Sequence, residues 1–350
     1  MHIPDNYLSA STCVALTIAT IPVWSVSVKK ITREFPKERF SALGVAAAFS
    51  FLAMMFNVPL PGGTTGHAVG GVLLAVLLGP EAACLSLTIA LAIQALLFGD
   101  GGILAFGANC FNIACILPFS GYLTYCALRK LFRAQTGSRR DVLCVGAASY
   151  VGLNLAALAA AIQFGVQPLL FHTPEGQALF CPYPLSVSVP AMAIGHLTLF
   201  GLAEILFSVG VYVFVMRAAP GFAANPAFFA PEKSSENEME WKKQNSSFNT
   251  VYILLAILVA LTPLGLLAEG TAWGEWGEDE IASLVVNGEE LGYVPQGMTT
   301  GFHWSALVPD YSAPGAPEWL SYVLSAISGV ALSILVFKLA TLLKRNDASA

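Results

Sequence analysis

The sequence predicts an all-α integral membrane protein. It has about nine membrane segments, arranged as a seven-segment bundle followed by a two-helix hairpin, with the amino terminus outside. Three observations carry this. Of 350 residues, 56% are hydrophobic and only 11% are charged, with a mean hydropathy of +0.68, whereas a soluble domain has about a quarter charged. Apolar runs long enough to cross a bilayer follow one another along the chain. The 17 Lys and Arg residues fall only in alternate connections and at the adjoining segment ends, as the positive-inside rule requires.

The runs are read in order. The first covers 8–28 and stops at Lys29-Lys30; the second covers 41–58. A long run over 67–98 is broken by Gly79-Pro80-Glu81, so it reads as two helices joined by a tight turn, the first short enough to be tilted or re-entrant. Further runs cover 103–127, 142–164, 187–216, 249–267 and 320–343. With the amino terminus outside, the inside connections are 29–40, 79–81, 128–141, 217–248 and the tail from 344. The last outside loop, 268–319, carries nine acidic residues and no Lys or Arg. Residues 1–216 form one membrane domain. The Pro-, Ser- and Asn-rich stretch 217–248 reads as a cytoplasmic linker, and 249–350 as a second, two-helix domain.

Composition also excludes functions. A net charge of −5 without a basic tract excludes nucleic acid as a partner. No Walker A pattern occurs, so the chain cannot use ATP through a P-loop of its own. The seven cysteines are odd in number, spread over apolar runs and without CxxC spacing, so they read as small apolar helix residues. An intramembrane enzyme would need paired catalytic groups, and only His196 and Glu204 are ionisable at that depth. They lie eight residues apart on the last segment of the bundle; Glu204 reads as a packing or coupling group and His196, nearer the outer end, as a support behind a metal ligand.

Five histidines remain: 2, 67, 172, 196 and 303. The start, MHIPDNYLSA, lacks the basic region of a cleaved signal, and the large second residue protects Met1 from removal, so the mature terminus is expected to be Met1-His2. The Met1 amine, the His2 amide nitrogen and His2 Nδ1 close a five- and a six-membered chelate ring around one ion. A fourth nitrogen completes a square, which suits Ni(II) or Cu(II) rather than tetrahedral Zn(II). His67 is the candidate, in VPLPGGTTGHAVGG, where Gly62, Gly63, Gly66, Gly70 and Gly71 let backbone approach closely. The plainer readings are a polar residue at a loose chain end for His2 and a helix-end hydrogen-bonding group for His67. Asn109 and Asn112, spaced i,i+3, either support the terminal loop or bond between helices. Asp5 is a candidate for fixing that loop. Ala15 and Ala19 form a small-residue pair that serves either as a docking face or as bundle packing. His172 and His303 read as surface residues.

These stretches resemble a family. MHIPDNYLS, PLPGGTTGHAVGG, FGANCFNIA (106–114) and GHLTLFGLAEILFS (195–208) are similar to the motifs of the CbiM/NikM family, the substrate-binding components of nickel/cobalt energy-coupling-factor (ECF) ABC transporters. LTPLGLLAEGTAWGEWGEDE (261–280) and GYVP (292–295) resemble the N component that many members carry fused behind M. The resemblance implies a capture subunit for Ni2+ or Co2+, with Met1, His2 and His67 as metal ligands. It also implies a plasma-membrane location and, as partners, a transmembrane coupling (T) protein and two ATPases. Cobalt uptake serving cobalamin biosynthesis is the alternative; a membrane scaffold is a further one. Two departures stand out: Asn6 replaces the family's usual Gly, and the C-terminal part lacks the PDGLE string of some relatives.

Overall fold

The computed structural model describes residues 1–35, 40–60, 64–218, 237–268, 271–286 and 289–346, with the backbone alone at 237–248, 279, 286, 289 and 343–346. Helices make nearly all of it: α1 (Ala10–Glu34), α2 (Phe40–Met54), α3 (Gly71–Leu78), α4 (Pro80–Ile93), α5 (Phe106–Asn109), α6 (Leu117–Phe132), α7 (Arg139–Gly165), α8 (Gln167–Leu170), α9 (Leu185–Leu197), α10 (Leu199–Ala218), α11 (Asn237–Leu261), α12 (Glu278–Ile281), α13 (Gln296–Thr300) and α14 (Glu318–Asn346). Two small antiparallel hairpins interrupt them: β1 (Asn57–Leu60) with β2 (Thr64–His67), and β3 (Val285–Val286) with β4 (Glu289–Glu290).

Among the described residues, seven helical segments are long and apolar enough to cross a membrane. α2, with 15 residues, and α3, with 8, are shorter than a bilayer requires. They can be short because protein surrounds them. Every α2 residue except Ser41 is buried, between α4 and α14, and α3 packs on α4, α6 and α7. Close backbone approach makes room: a Cβ on Gly44 of α2 would lie 2.9 Å from Ile334 Cα of α14. The lipid-facing sides carry exposed Val14, Ile18, Leu123, Leu143 and Leu206, as expected where the solvent is hydrocarbon.

Two segments differ from their sequence reading. The run 187–216 is two helices, because Thr198 leaves helical geometry at φ −112, ψ −106; His196 and Glu204 therefore lie on α9 and α10 rather than on one rod. The run 103–127 contains a π-helical turn, Cys110–Ile116. The wider turn rotates Asn112 away from Asn109, so the two amides face different partners. α11 also begins at Asn237, inside the stretch read as linker; 219–236 lie outside the described residues.

Inside the bundle the buried amides and Asp141 are paired, as an apolar medium demands. Asn112 and Gln163 exchange two amide bonds of 2.9 and 2.7 Å between the π turn and α7. At the opposite end of the bundle from Met1, Asp141 of α7 accepts from Tyr125, from Tyr212 and from the Gly137 N–H, with Arg129 Nε at 3.2 Å. All seven cysteines are free thiols.

Replacing Asn112 by Ala strands the buried Gln163 amide. A loss of about 1–3 kcal/mol is expected, read as a lower Tm in detergent, and Asn112→Ala combined with Gln163→Ala should cost less than the sum of the singles.

Candidate metal centre

The amino terminus enters the end of the bundle instead of leaving it. Met1 is 6% exposed, His2 2% and Ile3 fully buried. Such a segment must find partners for its backbone, and it does. Asn109 Oδ1 accepts from the Ile3 N–H at 2.7 Å and Asn109 Nδ2 donates to the Ile3 carbonyl at 3.0 Å. The Gly102 N–H donates to that same carbonyl at 2.8 Å. The Asp5 carboxylate accepts from the N–H groups of Ile103, Leu104 and Ala105. Gln167 Oε1 accepts from Ser9 N–H at 3.0 Å, where Ser9 caps α1. The loop 99–102 can lie this close only because it is glycine-rich: a Cβ on Gly102 would fall 2.3 Å from the Asp5 carboxylate.

His67 ends β2, opposite Asn57. Its Nδ1–H donates to the Ala68 carbonyl at 3.2 Å, which fixes the tautomer and leaves a lone pair on Nε2. The His2 and His67 rings stack with centroids 5.0 Å apart at 28°. Each presents a buried Nε2 with no hydrogen-bond partner. Burial, with the terminal amine and His2 close by, holds the His67 pKa well below the ordinary imidazole value, so the ring is neutral at pH 7.

Two carboxylates flank these groups. Asp100 Oδ1 lies 2.7 Å from His2 Nδ1, and Asp100 Oδ2 accepts from the Tyr311 hydroxyl and from Gln94 Nε2. Burial alone would raise the Asp100 pKa, but the charge and hydrogen bond of His2 and the Tyr311 hydroxyl drive it well below the carboxylate range. Glu275 Oε1 lies 3.4 Å from the Met1 amine, its pKa raised by burial against the pull of that amine. Among the described residues no three His, Cys, Asp or Glu side chains are grouped to hold a metal; the donors in place are two imidazoles and the chain terminus itself.

Glu275 and Tyr311 come from the loop 268–319, which lies over the terminus. The Tyr7 hydroxyl donates to the Trp276 carbonyl at 2.8 Å. Asn6 exchanges two bonds with the Phe302 backbone, 2.8 and 2.9 Å. A cavity of about 320 Å3 remains beneath the loop, lined by Asp5, Asn6, Gly101, Glu275, Glu278 and His303. Asn6 sits at φ 67, the left-handed region that Gly and Asn tolerate best, so Asn keeps the turn and adds a clamp that Gly lacks.

Of the other residues singled out, His196 donates from Nδ1 to the Met192 carbonyl at 2.8 Å and lines a small cavity with Met1, Thr64 and Gly66. Asn112 does not reach the terminus. Ala15 and Ala19 are exposed on α1, and His172 and His303 are exposed. Gly66, Gly70 and Gly71 are buried beside His67; Gly62 and Gly63 lie outside the described residues. The sequence reading missed Asp100, Gln167, Glu275 and Tyr311. Asp100 had one local signal, an acid set among glycines in GDGG (99–102).

Comparison with known proteins agrees with this architecture. Residues 2–222 match the CbiM family model, described as "Cobalt uptake substrate-specific transmembrane region". The chain belongs to that family. Residues 247–346 match the PDGLE domain, although the PDGLE string itself is absent. A relative from Lactiplantibacillus plantarum, "Probable fused nickel transport protein LarMN", is 47% identical over 97% of both chains. "Fused nickel transport protein NikMN" of Rhodobacter capsulatus is 45% identical over 95% of both. The crystal structure of a truncated transition metal transporter superposes with a TM-score of 0.58 at 50% identity, covering 62% of this chain and 99% of that one. The chain is thus a multi-pass component of nickel or cobalt uptake, a transporter part and not an enzyme.

Asn6→Gly should keep the left-handed turn and lose the two bonds to Phe302, costing about 1 kcal/mol. Asn6→Ala should cost a further 1–2 kcal/mol or about that for the turn. Melting temperatures should therefore rank wild type above Asn6→Gly above Asn6→Ala.

Proposed function

We propose that the chain is the substrate-capture subunit of an ECF-type importer of Ni2+ or Co2+, and that it holds the ion with the Met1 amine, the His2 amide and ring nitrogens, and His67 Nε2. The observation that carries this reading is the buried, unpartnered His67 Nε2, stacked against the His2 ring beside a buried free amine. Unsatisfied polar atoms in such a place are rare without a ligand.

In the metal-free arrangement His2 Nδ1 is engaged by Asp100 and the amine by Glu275. Loading exchanges these partners: the ring turns Nδ1 from Asp100 to the ion, and the amine leaves Glu275 for it. The ion brings two positive charges and the deprotonated amide removes one, and the Asp100 carboxylate balances the remaining charge of a buried cation that would otherwise be costly. Four nitrogens in a square favour Ni2+, in line with the nickel transport proteins among the relatives. The family's cobalt description supports Co2+ as the second reading, and titrating both ions into one preparation separates them.

The amino terminus then faces outside and the carboxyl terminus the cytoplasm of a plasma-membrane protein. The T protein and two ATPases complete the importer, with exposed Ala15 and Ala19 on α1 as a docking face. The acidic loop closes over the capture site.

One residue added before Met1 moves the amine out of its chelate position and should abolish Ni2+ binding in a titration of the purified protein; unchanged affinity and spectrum would refute the site. Binding needs a free amine, a neutral His2 ring with its Nδ1 lone pair available, and an amide that has lost its proton. Affinity should therefore fall as pH drops through the neutral range, and His67, already neutral, should contribute nothing to that fall.

A further inference from the structure

Glu204 is fully buried in the membrane-spanning helix α10. An ionisable group at that depth is costly and calls for a partner and a reason. Its partners are backbone groups. Oε2 accepts from the Val69 N–H at 2.7 Å, and both oxygens accept from the Gly70 N–H at 3.1 and 3.2 Å. The Ser208 hydroxyl donates to Oε1 at 3.3 Å. Gly70 is the N-cap of α3, at φ 70, and has no side chain to cap with. The donors at a helix start have no partner within the helix, and the helix dipole favours a negative charge there. Glu204 therefore holds, from another helix, the two N–H groups that lead into α3.

The turn so held begins at His67. Val69 and Gly70 follow it by two and three residues, and the acceptor for its Nδ1–H, the Ala68 carbonyl, lies in the same turn. The Val69 carbonyl is held in addition by the Ser50 hydroxyl at 2.7 Å. On the other side of His67, the Phe200 ring presses on Gly66, where a Cβ would fall 2.7 Å from it. Phe200 and Glu204 are one helical turn apart on α10. One face of this helix thus grips the backbone on both sides of the histidine.

We propose that Glu204 is a positioning residue for metal capture: by accepting the Val69 and Gly70 N–H groups it sets where His67 Nε2 stands as the fourth donor. The inference rests on the reading of His67 as a metal ligand.

The test uses the purified full-length protein and Ni2+, reading affinity by titration and donor set by the visible absorption and circular dichroism of bound Ni2+. Glu204→Leu removes both acceptors. It should weaken binding by about tenfold or more, the scale set by outer groups that orient a metal ligand, and its Ni2+ spectrum should coincide with that of His67→Ala. Glu204→Gln keeps one oxygen for the two N–H groups and should keep the wild-type spectrum. Glu204→Asp keeps the charge but withdraws the acceptor by one methylene, so it should shift toward the His67→Ala spectrum, and it decides the matter if Glu204→Leu does not fold. A wild-type spectrum in Glu204→Asp or in folded Glu204→Leu, with His67→Ala altered, overturns the inference alone. A loss in Glu204→Gln equal to that in Glu204→Leu also overturns it, since charge and not acceptance would then matter. If His67→Ala itself binds like wild type, the ligand reading fails and this inference falls with it.

Discussion

A buried chain terminus governs the rest of this structure. An amino terminus carries a charge and a run of unpaired peptide groups, which an apolar bundle must satisfy one by one. The amide of Asn109 treats Ile3 as a neighbouring strand would, bonding both its N–H and its carbonyl. Asp5 gathers three N–H groups ahead of α5, and Gln167 takes the one at Ser9. The glycines of 99–102, the π turn and the short α8 that carries Gln167 are arranged around this requirement. With residues 1–9 pinned, the amine and the His2 ring have little freedom left, and a donor set that would be floppy in a peptide becomes pre-organised.

The charge balance follows from that burial. A terminal ammonium and an imidazole in a confined space need negative partners, and two are supplied from opposite halves of the chain. Asp100 comes from the loop after α4 and Glu275 from the loop before α12. Tyr311 ties the first of these to the second half. The acidic loop is thus part of the wall of the candidate centre rather than detached, solvated surface.

The segments were legible because hydropathy is a property of local sequence, and chelate chemistry made Met1, His2 and His67 stand out. Other features were not legible for reasons that can be named. Hydropathy is blind to hydrogen-bond register, so it passed over the break at Thr198 and the π turn at Cys110–Ile116, and it put Asn109 and Asn112 on one face. Asp100, Glu275 and Tyr311 lie far from His2 in sequence, and no spacing rule joins them. Glu204 was visible as a buried acid, but its partners are peptide groups, which every residue possesses and no motif can mark. Asn6 looked like a departure from a glycine; only its positive φ and its bonds to Phe302 give it a reason.

The covering loop and the terminus it covers belong to one polypeptide. Each clamp between them is modest: a 3.4 Å ion pair at Met1, two amide bonds at Asn6, one hydroxyl at Tyr7. Between separate molecules such contacts would compete with dilution. Within one chain, closure is unimolecular, and a tether raises the effective concentration of one partner around the other to the order of millimolar. Contacts too weak to recruit a free subunit therefore suffice to keep this one seated, and each can still be given up singly.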